Sequence, residues 1–307
     1  MKSSLDHLPE RKQRELARVV DILHEEFQDA LKDSSAEFKK MGRILKVILF
    51  GSYARGDWVD EPHTLKGYRS DYDLLVIVNN RKLSDFATYW YKAADRFLHD
   101  RGIKTPVSFI VHSRREINTA LHEGQYFFSD IRREGIVLYE LDDEALAEPK
   151  PLSKAEEYRT AKEHFEERLP EANMMLETAR WQIAHAEDRW VKGTAFSLHQ
   201  AIEHAYSTLL LTLTNYGPPS HNLTFLRKLA EGRDRRLVDA WPRDQQRNRA
   251  WFNTINEAYV KARYSKHFEV SKEALQWVSA RTGELHVLVK TVCEEHLARL
   301  RNDAGDI

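Results

Sequence analysis

Two carboxylates, one residue apart, open an apolar run that has the composition of a buried strand. Asp71 and Asp73 stand at the start of the run that ends at Val78. Because successive strand side chains point to opposite faces, both carboxylates project from one face, close enough to bind the same metal ion. A divalent ion held there, Mg²⁺ or Mn²⁺, can bridge triphosphate oxygens and align an attack on the α-phosphate. The pair therefore predicts a metal site with a catalytic role.

A glycine and a serine end the preceding apolar run and begin a helix-like turn. Gly51 and Ser52 follow Phe50 directly, and Arg55 comes one turn later. Free backbone amides, a hydroxyl and the positive end of a helix suit the phosphates of a nucleotide. Arg55 either balances their charge or forms an ordinary surface ion pair. Each half of the pattern alone is typical of a turn or a strand cap, whereas both halves together favour a site for a nucleoside triphosphate.

The elements that position these residues alternate between strands and helices in the first half of the chain. Apolar residues at helical spacing predict a leading helix from Leu5 to Leu31. Strands are predicted from Ile44 to Phe50 and from Tyr72 to Val78, with a loop from Asp57 to Arg69 between them. The next predicted elements are a helix from Phe86 to Leu98, a strand from Pro106 to Val111, helices from Glu116 to His122 and Phe127 to Arg132, and a strand from Gly135 to Tyr139. This alternation predicts helices layered on a sheet.

The second half of the chain contains no convincing strand. The segment from Asp142 to Pro151 is acidic, contains proline and lacks periodicity, so we expect domains at residues 1–145 and 146–307. Pro170, the pair Pro218-Pro219 and Pro242 are expected to separate helices, because proline cannot donate a helical hydrogen bond. Predicted helices run from Glu171 to Ala186, Phe196 to Asn215, Leu223 to Glu231, Arg249 to Arg263 and Lys272 to Leu297. These stretches predict an all-α bundle.

Charge and cysteine content exclude several classes of protein. The 307 residues carry a formal net charge of -1, so no overall basic field favours bulk binding of nucleic acid. A single cysteine, Cys293, excludes an internal disulfide framework and a cysteine-based zinc cluster. The first residues lack the apolar core of a signal peptide, and no run is long enough to span a bilayer. We therefore expect a cytoplasmic protein that does not enter a membrane.

The motif Gly51-Ser52-Tyr53-Ala54-Arg55-Gly56, with Ser70-Asp71-Tyr72-Asp73, resembles the signature of the polymerase-beta-type nucleotidyltransferase superfamily, in particular its minimal bacterial branch. The resemblance covers about residues 40 to 140. It implies an α+β domain with a small mixed sheet, in which the Gly-Ser pair binds the triphosphate and the paired acids bind magnesium. The gap between the two half-motifs is longer than in compact members, so Trp58 and Tyr68 are expected to form a lid or to contact a substrate.

The third acid of that superfamily is missing at its expected position. In the family this acid usually lies on a neighbouring strand, where it activates the attacking hydroxyl or completes the metal site. The matching strand has Ser108 there, and a serine cannot be that base. Glu116, Glu123 and Asp130 are candidates to replace it, and Asp130 is preferred because an acid flanked by aromatic residues seldom lacks a partner. Otherwise Asp130 caps a helix or forms a salt bridge. In that case either the substrate assists the deprotonation of the hydroxyl, or the domain binds nucleotide without efficient transfer.

Three segments of the helical half, Phe196 to Tyr206, Pro218 to Leu223 and Ala258 to Ser265, resemble the HEPN family, whose bundles occur beside minimal nucleotidyltransferases in prokaryotes. Many HEPN domains are ribonucleases that use an arginine and a histidine with four to six residues between them, usually assembled across a dimer. Arg263 and His267 are the candidates here, although only three residues separate them. In separated pairs the transferase modifies a tyrosine of the HEPN partner and silences a toxin, so Tyr264 is a candidate acceptor.

Two hypotheses follow for the function of the whole chain. The first is a magnesium-dependent nucleotidyltransferase that moves a nucleoside monophosphate, AMP by preference, from a triphosphate to a hydroxyl on a small molecule, an RNA end or a protein. The second is a nucleotide-sensing regulator or HEPN-type ribonuclease, related to toxin-antitoxin effectors, in which the transferase domain is weak or inactive. A homodimer is plausible in both cases, because an amphipathic bundle offers a surface for symmetric association.

Overall fold

The computed structural model describes residues 4–32, 34–60, 69–185 and 190–305, and the chain forms two compact units that adjoin in sequence at residues 151 and 152. The first unit is built on a four-stranded mixed sheet. Its strands are β1 (Ile44–Phe50), β2 (Tyr72–Val78), β3 (Val107–Ser113) and β4 (Ile136–Glu140), in the spatial order β3-β2-β1-β4. β1 pairs antiparallel with β2 and β4, whereas β2 and β3 run parallel. The predicted small mixed sheet is confirmed, and β1 and β2 begin and end at the predicted residues.

Helices cover both faces of this sheet. Alternate side chains such as Val47, Leu49 and Leu74 form a continuous hydrophobic core with the apolar stripe of the first helix, and each fully buried side chain of this kind stabilises the fold by about 1.5–3 kcal/mol. On the opposite face Phe50 meets Phe127, with ring centroids 5.5 Å apart. The helices are α1 (Glu10–Leu31), α2 (Glu37–Lys40), α3 (Gly51–Arg55), α4 (Phe86–Tyr89), α5 (Tyr91–His99), α6 (Arg114–His122) and α7 (Tyr126–Glu134).

The helix predicted from Phe86 to Leu98 is divided at Trp90. The Trp90 indole is fully buried, stacks on Phe27 at 4.8 Å, and donates a hydrogen bond from Nε1 to the Leu83 carbonyl at 2.8 Å. Its backbone has φ −123 and ψ −14, which lies outside regular helical geometry. Helical periodicity continues across the break, so the sequence pattern shows one helix where the structure has α4 and α5.

The second unit contains helices and loops but no strand among its described residues, and the predicted all-α bundle is confirmed. Its helices are α8 (Lys154–His185), α9 (Val191–Thr214), α10 (Leu223–Arg233), α11 (Gln246–Tyr264) and α12 (Lys272–Ala304). Helix α9 carries the most apolar sequence, with Leu198, Ile202 and Leu209 fully buried. None of the helices in the described ranges is long and apolar enough to cross a membrane.

The expectation that Pro170 separates two helices is wrong, because Pro170 lies inside α8. Proline within a helix costs about 3 kcal/mol through a lost hydrogen bond and a clash with the preceding turn. Burial on both sides of the proline offsets this cost, since Ala161 precedes it and Leu176 follows it in the bundle core. The helix begins seventeen residues earlier than predicted, where Ser153 and Glu156 form reciprocal capping hydrogen bonds.

Candidate active site

The turn after β1 and the carboxylate at the start of β2 are in contact. Phe50 pairs with Asp73 across the two strands, which brings the next residue, Gly51, beside the Asp73 side chain. Gly51 has φ +73, a conformation that favours glycine. A Cβ on Gly51 would also fall less than 3.0 Å from Asp73 Oδ2. Glycine is therefore required at this position for two reasons: the backbone has a positive φ, and the Asp73 carboxylate leaves no room for a Cβ.

A single helical turn, α3, presents the Gly-Ser pair. It ends at Gly56, which has φ +90 and donates its backbone N–H to the Ser52 carbonyl at 2.9 Å. Arg55, in the last turn, lies at the surface with its Nε 3.4 Å from Asp57 Oδ2. An exposed pair of this kind contributes at most about 1 kcal/mol, so its guanidinium can exchange the carboxylate for a phosphate at little cost.

Ser108 lies beside the two acids. In the parallel register of β2 and β3 it is opposite Asp73, and its hydroxyl donates a hydrogen bond to Asp71 Oδ2 at 3.0 Å. The side chain of Ser108 is buried, while both carboxylates are half-buried. The hydrogen bond fixes one oxygen of Asp71 and adds no negative charge to the site.

The alternative acids named from the sequence have other positions. Asp130 forms an ion pair with Arg133 on its own helix, α7, at 2.6 Å. Glu116 caps the start of α6 through Ser113, and Glu123 is the C-cap residue that follows the same helix. Across the described part of the chain, no group of three or more histidine, cysteine or acidic side chains is close enough to hold a metal ion. Among the described residues, Asp71 and Asp73 therefore form a pair of carboxylates, and no third acid joins them in a metal-binding group.

A buried polar network supports the motif from the side of α1. Thr105 accepts a hydrogen bond from the Lys12 ammonium and donates one to Glu15 Oε2 at 2.7 Å, and all three side chains are buried. Tyr72, between the two acids, places its hydroxyl 3.4 Å from the same Glu15 oxygen. Burial lowers the pKa of Lys12 and raises the pKa of Tyr53 to about 12. Sequence reasoning missed this network, whose only local signal is two charged residues, Lys12 and Glu15, next to the apolar stripe of α1.

The loop between the half-motifs is closed at its base. Val59 and Ser70 exchange hydrogen bonds, in which the Ser70 backbone N–H donates to the Val59 carbonyl at 2.8 Å and the Ser70 hydroxyl accepts from the Val59 N–H at 2.9 Å. Trp58 stacks on Tyr53 with ring centroids 5.3 Å apart. Trp58 thus lies next to α3, its role as a lid or substrate contact stays a prediction, and Tyr68 is outside the described residues.

In the helical unit, Arg263 is surrounded by aromatic rings at the end of α11. Its guanidinium carbon lies 4.2 Å from the ring centre of Tyr259 and 5.2 Å from those of Phe196 and Tyr264, and Nε donates to the Tyr259 carbonyl at 2.7 Å. Tyr264 is 76% exposed. His267 is also exposed, beyond the end of the helix.

A second histidine, not selected from the sequence, shares the Tyr259 ring with Arg263. His221 stacks on Tyr259 with ring centroids 3.6 Å apart, and its Nδ1 lies 3.0 Å from a carboxylate oxygen of Glu203. His199, behind it, is fully buried, and burial lowers its pKa to about 4. Because Glu203 comes from α9, His221 from the segment before α10, and Tyr259 and Arg263 from α11, no local pattern could have revealed the group.

Comparison with known proteins identifies a family for each of the two domains. Residues 31–138 match the family model of the nucleotidyltransferase domain, and residues 165–292 match that of the HEPN domain. A protein of Methanocaldococcus jannaschii named "Putative protein adenylyltransferase" is 35% identical over 114 residues, which are 37% of this chain and 92% of that protein. The chain belongs to the nucleotidyltransferases. Its transferase domain contains the Gly-Ser turn and the acid pair, and a HEPN domain follows it.

The side chains present in the nucleotidyltransferase domain fit a magnesium ion. Asp71 and Asp73 offer carboxylate oxygens on one face of the sheet, beside the turn suited to phosphates. Mg²⁺ is commonly bound through one or two carboxylates, with phosphate oxygens of the substrate and water completing its coordination. Two acids are therefore sufficient for an ion that arrives with a nucleotide.

Proposed function

We propose that this nucleotidyltransferase transfers AMP from ATP to a hydroxyl group, with Mg²⁺ or Mn²⁺ bound by Asp71 and Asp73. The observation that carries the proposal is the contact between Asp73 and Gly51, which joins the acid pair to the phosphate turn. The choice of AMP rests on the printed name of the archaeal relative. The acceptor hydroxyl belongs to a small molecule, an RNA end or a protein.

Each residue of the motif has a role that its position supports. Backbone amides at Gly51 and the hydroxyl of Ser52 bind the terminal phosphates. Arg55 releases the Asp57 carboxylate and pairs with a phosphate instead. Ser108 holds Asp71 by a hydrogen bond to Oδ2, so that the carboxylate keeps one orientation. When bound, the metal ion supplies charge neutralisation at the phosphate oxygens. Ser108 cannot accept the proton of the attacking hydroxyl, so we propose that a basic group of the acceptor molecule takes this proton while the new P–O bond forms and pyrophosphate leaves the α-phosphorus.

Transfer of label from α-³²P-labelled ATP, GTP, CTP or UTP tests this proposal. The full chain is incubated with each nucleotide and Mg²⁺, with and without RNA, and products are separated as protein, RNA and small molecules. Asp71→Ala with Asp73→Ala should abolish transfer, whereas Asp95→Ala, which removes an exposed acid from α5, should leave it unchanged. Transfer at the normal rate by the double variant would refute the proposed site.

A second candidate function is cleavage of RNA by the HEPN domain, with the transferase domain as a nucleotide sensor. The observation that favours it is Arg263, which is exposed and has no described carboxylate as an ion-pair partner. Arg263 would bind a phosphate while a histidine moves a proton, and the structure offers both His267 and the Glu203-linked His221. We propose a homodimer for this activity, as in related bundles, and Tyr264 as an exposed acceptor for self-modification.

Cleavage of a labelled single-stranded RNA separates the two histidines. If the domain is a ribonuclease, Arg263→Ala should abolish cleavage, and comparison of His221→Ala with His267→Ala identifies the proton-transfer group. Lys290→Ala, on the exposed face of α12, is the control. Cleavage that persists in Arg263→Ala would contradict this second function, and label found on Tyr264 would instead identify it as a transfer acceptor.

A further inference from the structure

A cavity of about 310 Å³ lies in the transferase domain at the opposite end of β1 from the phosphate turn. It is bounded by the C-terminal part of α1, by α2, by the start of β1 at Ile44 and by the end of β4. The phosphate turn begins at Gly51, so the length of the strand puts about 20 Å between the two places. The cavity is therefore separate from the site of Asp71 and Asp73.

One wall of the cavity is apolar and aromatic. Phe27, Ile44 and Tyr139 line it, and His24 meets Tyr139 edge-on with ring centroids 4.3 Å apart. The Nε2 atom of His24 is buried and has no hydrogen-bond partner among the described residues. Burial also lowers the pKa of His24, which keeps the imidazole neutral. A buried polar atom without a partner is uncommon in a folded protein and suggests that a bound molecule satisfies it.

The lining of the cavity is also positively charged. Lys39, Lys40 and Arg43 line it, and no described residue of the lining is acidic. None of these three side chains forms an ion pair with a carboxylate of the described residues. Lys39 lies over the Tyr89 ring, and Arg43 donates hydrogen bonds to the Lys40 and Gly42 carbonyls. Lys32, also in the lining, differs from them because it is paired with Asp29 at 2.9 Å. Three cations without described ion pairs around one concave site favour an anionic ligand.

We propose that this cavity binds a small phosphorylated molecule with a flat ring, of the size of a nucleoside monophosphate. The ring packs against Tyr139, and the phosphate lies on Lys40 and Arg43. The cavity volume is at the lower limit for small-molecule sites, which fits a mononucleotide better than a dinucleotide. The proposal does not depend on transfer at Asp71 and Asp73, because neither the cavity nor its charges involve those residues.

Isothermal titration of the full chain with AMP in EDTA tests this site, since the chelator removes any metal that would hold a nucleotide at the acid pair. We expect binding with a Kd below about 1 mM, and at least tenfold weaker binding in Lys40→Glu with Arg43→Glu. Arg115→Glu, an exposed residue of α6, makes a charge change of the same kind away from the cavity and should bind AMP normally. Asp71→Ala with Asp73→Ala should also bind normally.

Adenosine and inorganic phosphate separate the contributions of the ring and the anion, and each should bind more weakly than AMP. GMP, CMP and UMP are titrated in the same way, and binding of any of them in place of AMP would support the site equally. The proposal is overturned if none of the four monophosphates binds, or if Lys40→Glu with Arg43→Glu binds as the unmodified protein does. Equal affinity for phosphate alone, or loss of binding in the Asp71 and Asp73 variant, would overturn it as well.

Discussion

Replacement of Gly51 by alanine is the sharpest test of how the transferase site is built. Alanine at this position would have to adopt φ +73, which costs an L-residue about 1–2 kcal/mol in folding free energy. It would also fall less than 3.0 Å from Asp73 Oδ2, so the carboxylate must move away from the turn. A displacement of about 1 Å at a reacting site can lower the rate about 100-fold. We therefore expect Gly51→Ala to lower transfer about 100-fold.

Gly56→Ala is the matched control, because it has the same backbone problem without the contact. Gly56 has φ +90, but the nearest atom to its added Cβ is His7 Cδ2 at 3.7 Å, an ordinary van der Waals distance. Both variants should lose similar stability in urea unfolding, while steady-state transfer assays should show the large loss only in Gly51→Ala. Equal activities in the two variants would refute the argument that Asp73 depends on the absence of a side chain at Gly51.

Two further predictions concern Ser108 and His286. Ser108→Asp places a carboxylate beside Asp71, so we expect a lower melting temperature without metal, tighter Mn²⁺ binding by titration, and faster transfer. Unchanged metal affinity would show that Ser108 does not face the metal site. Burial lowers the pKa of His286 from 6.5 to about 4, so the unfolded chain takes up a proton first as the pH falls, and stability is lost between pH 6.5 and about 4. Between pH 6.5 and pH 5, the free energy of unfolding measured in urea should therefore fall by about 2 kcal/mol less in His286→Gln than in the unmodified protein. Parallel plots of unfolding free energy against pH for the two proteins would contradict this.

The sequence predicted those parts of the fold that depend on local patterns. The strands β1 and β2 are short apolar runs bounded by a glycine turn and by charged residues, and both were located to the residue. The break at Trp90 and the continuity through Pro170 were missed, because each depends on the packing of one side chain or one helix within a core. Local propensity is a weak guide where tertiary contacts offset it.

The same distinction applies to the two candidate sites. Gly51 and Asp73 are 22 positions apart, but Gly51 directly follows β1 and Asp73 lies on β2, so the antiparallel pairing of these strands brings the two halves of the motif together. His221, Glu203 and Arg263 come from three separate segments of the chain, and nothing in their spacing indicates that both His221 and Arg263 would contact the Tyr259 ring. Sites built by strand pairing can therefore be predicted from sequence more readily than sites built by the crossing of helices.

The serine beside Asp71 gives the transferase site a particular electrostatic character. A third acid at this position would repel Asp71 and Asp73. Ser108 instead donates a hydrogen bond to Asp71, so the site has a pair of carboxylates at the start of β2. Fewer negative charges bind a free divalent ion more weakly, so we expect metal and nucleotide to bind together, with the triphosphate supplying the missing oxygens. It follows that metal affinity should rise sharply when ATP is present. If metal affinity does not rise when ATP is present, the acid pair binds its ion without the nucleotide. In that case the explanation that Ser108 limits the negative charge of the site is wrong.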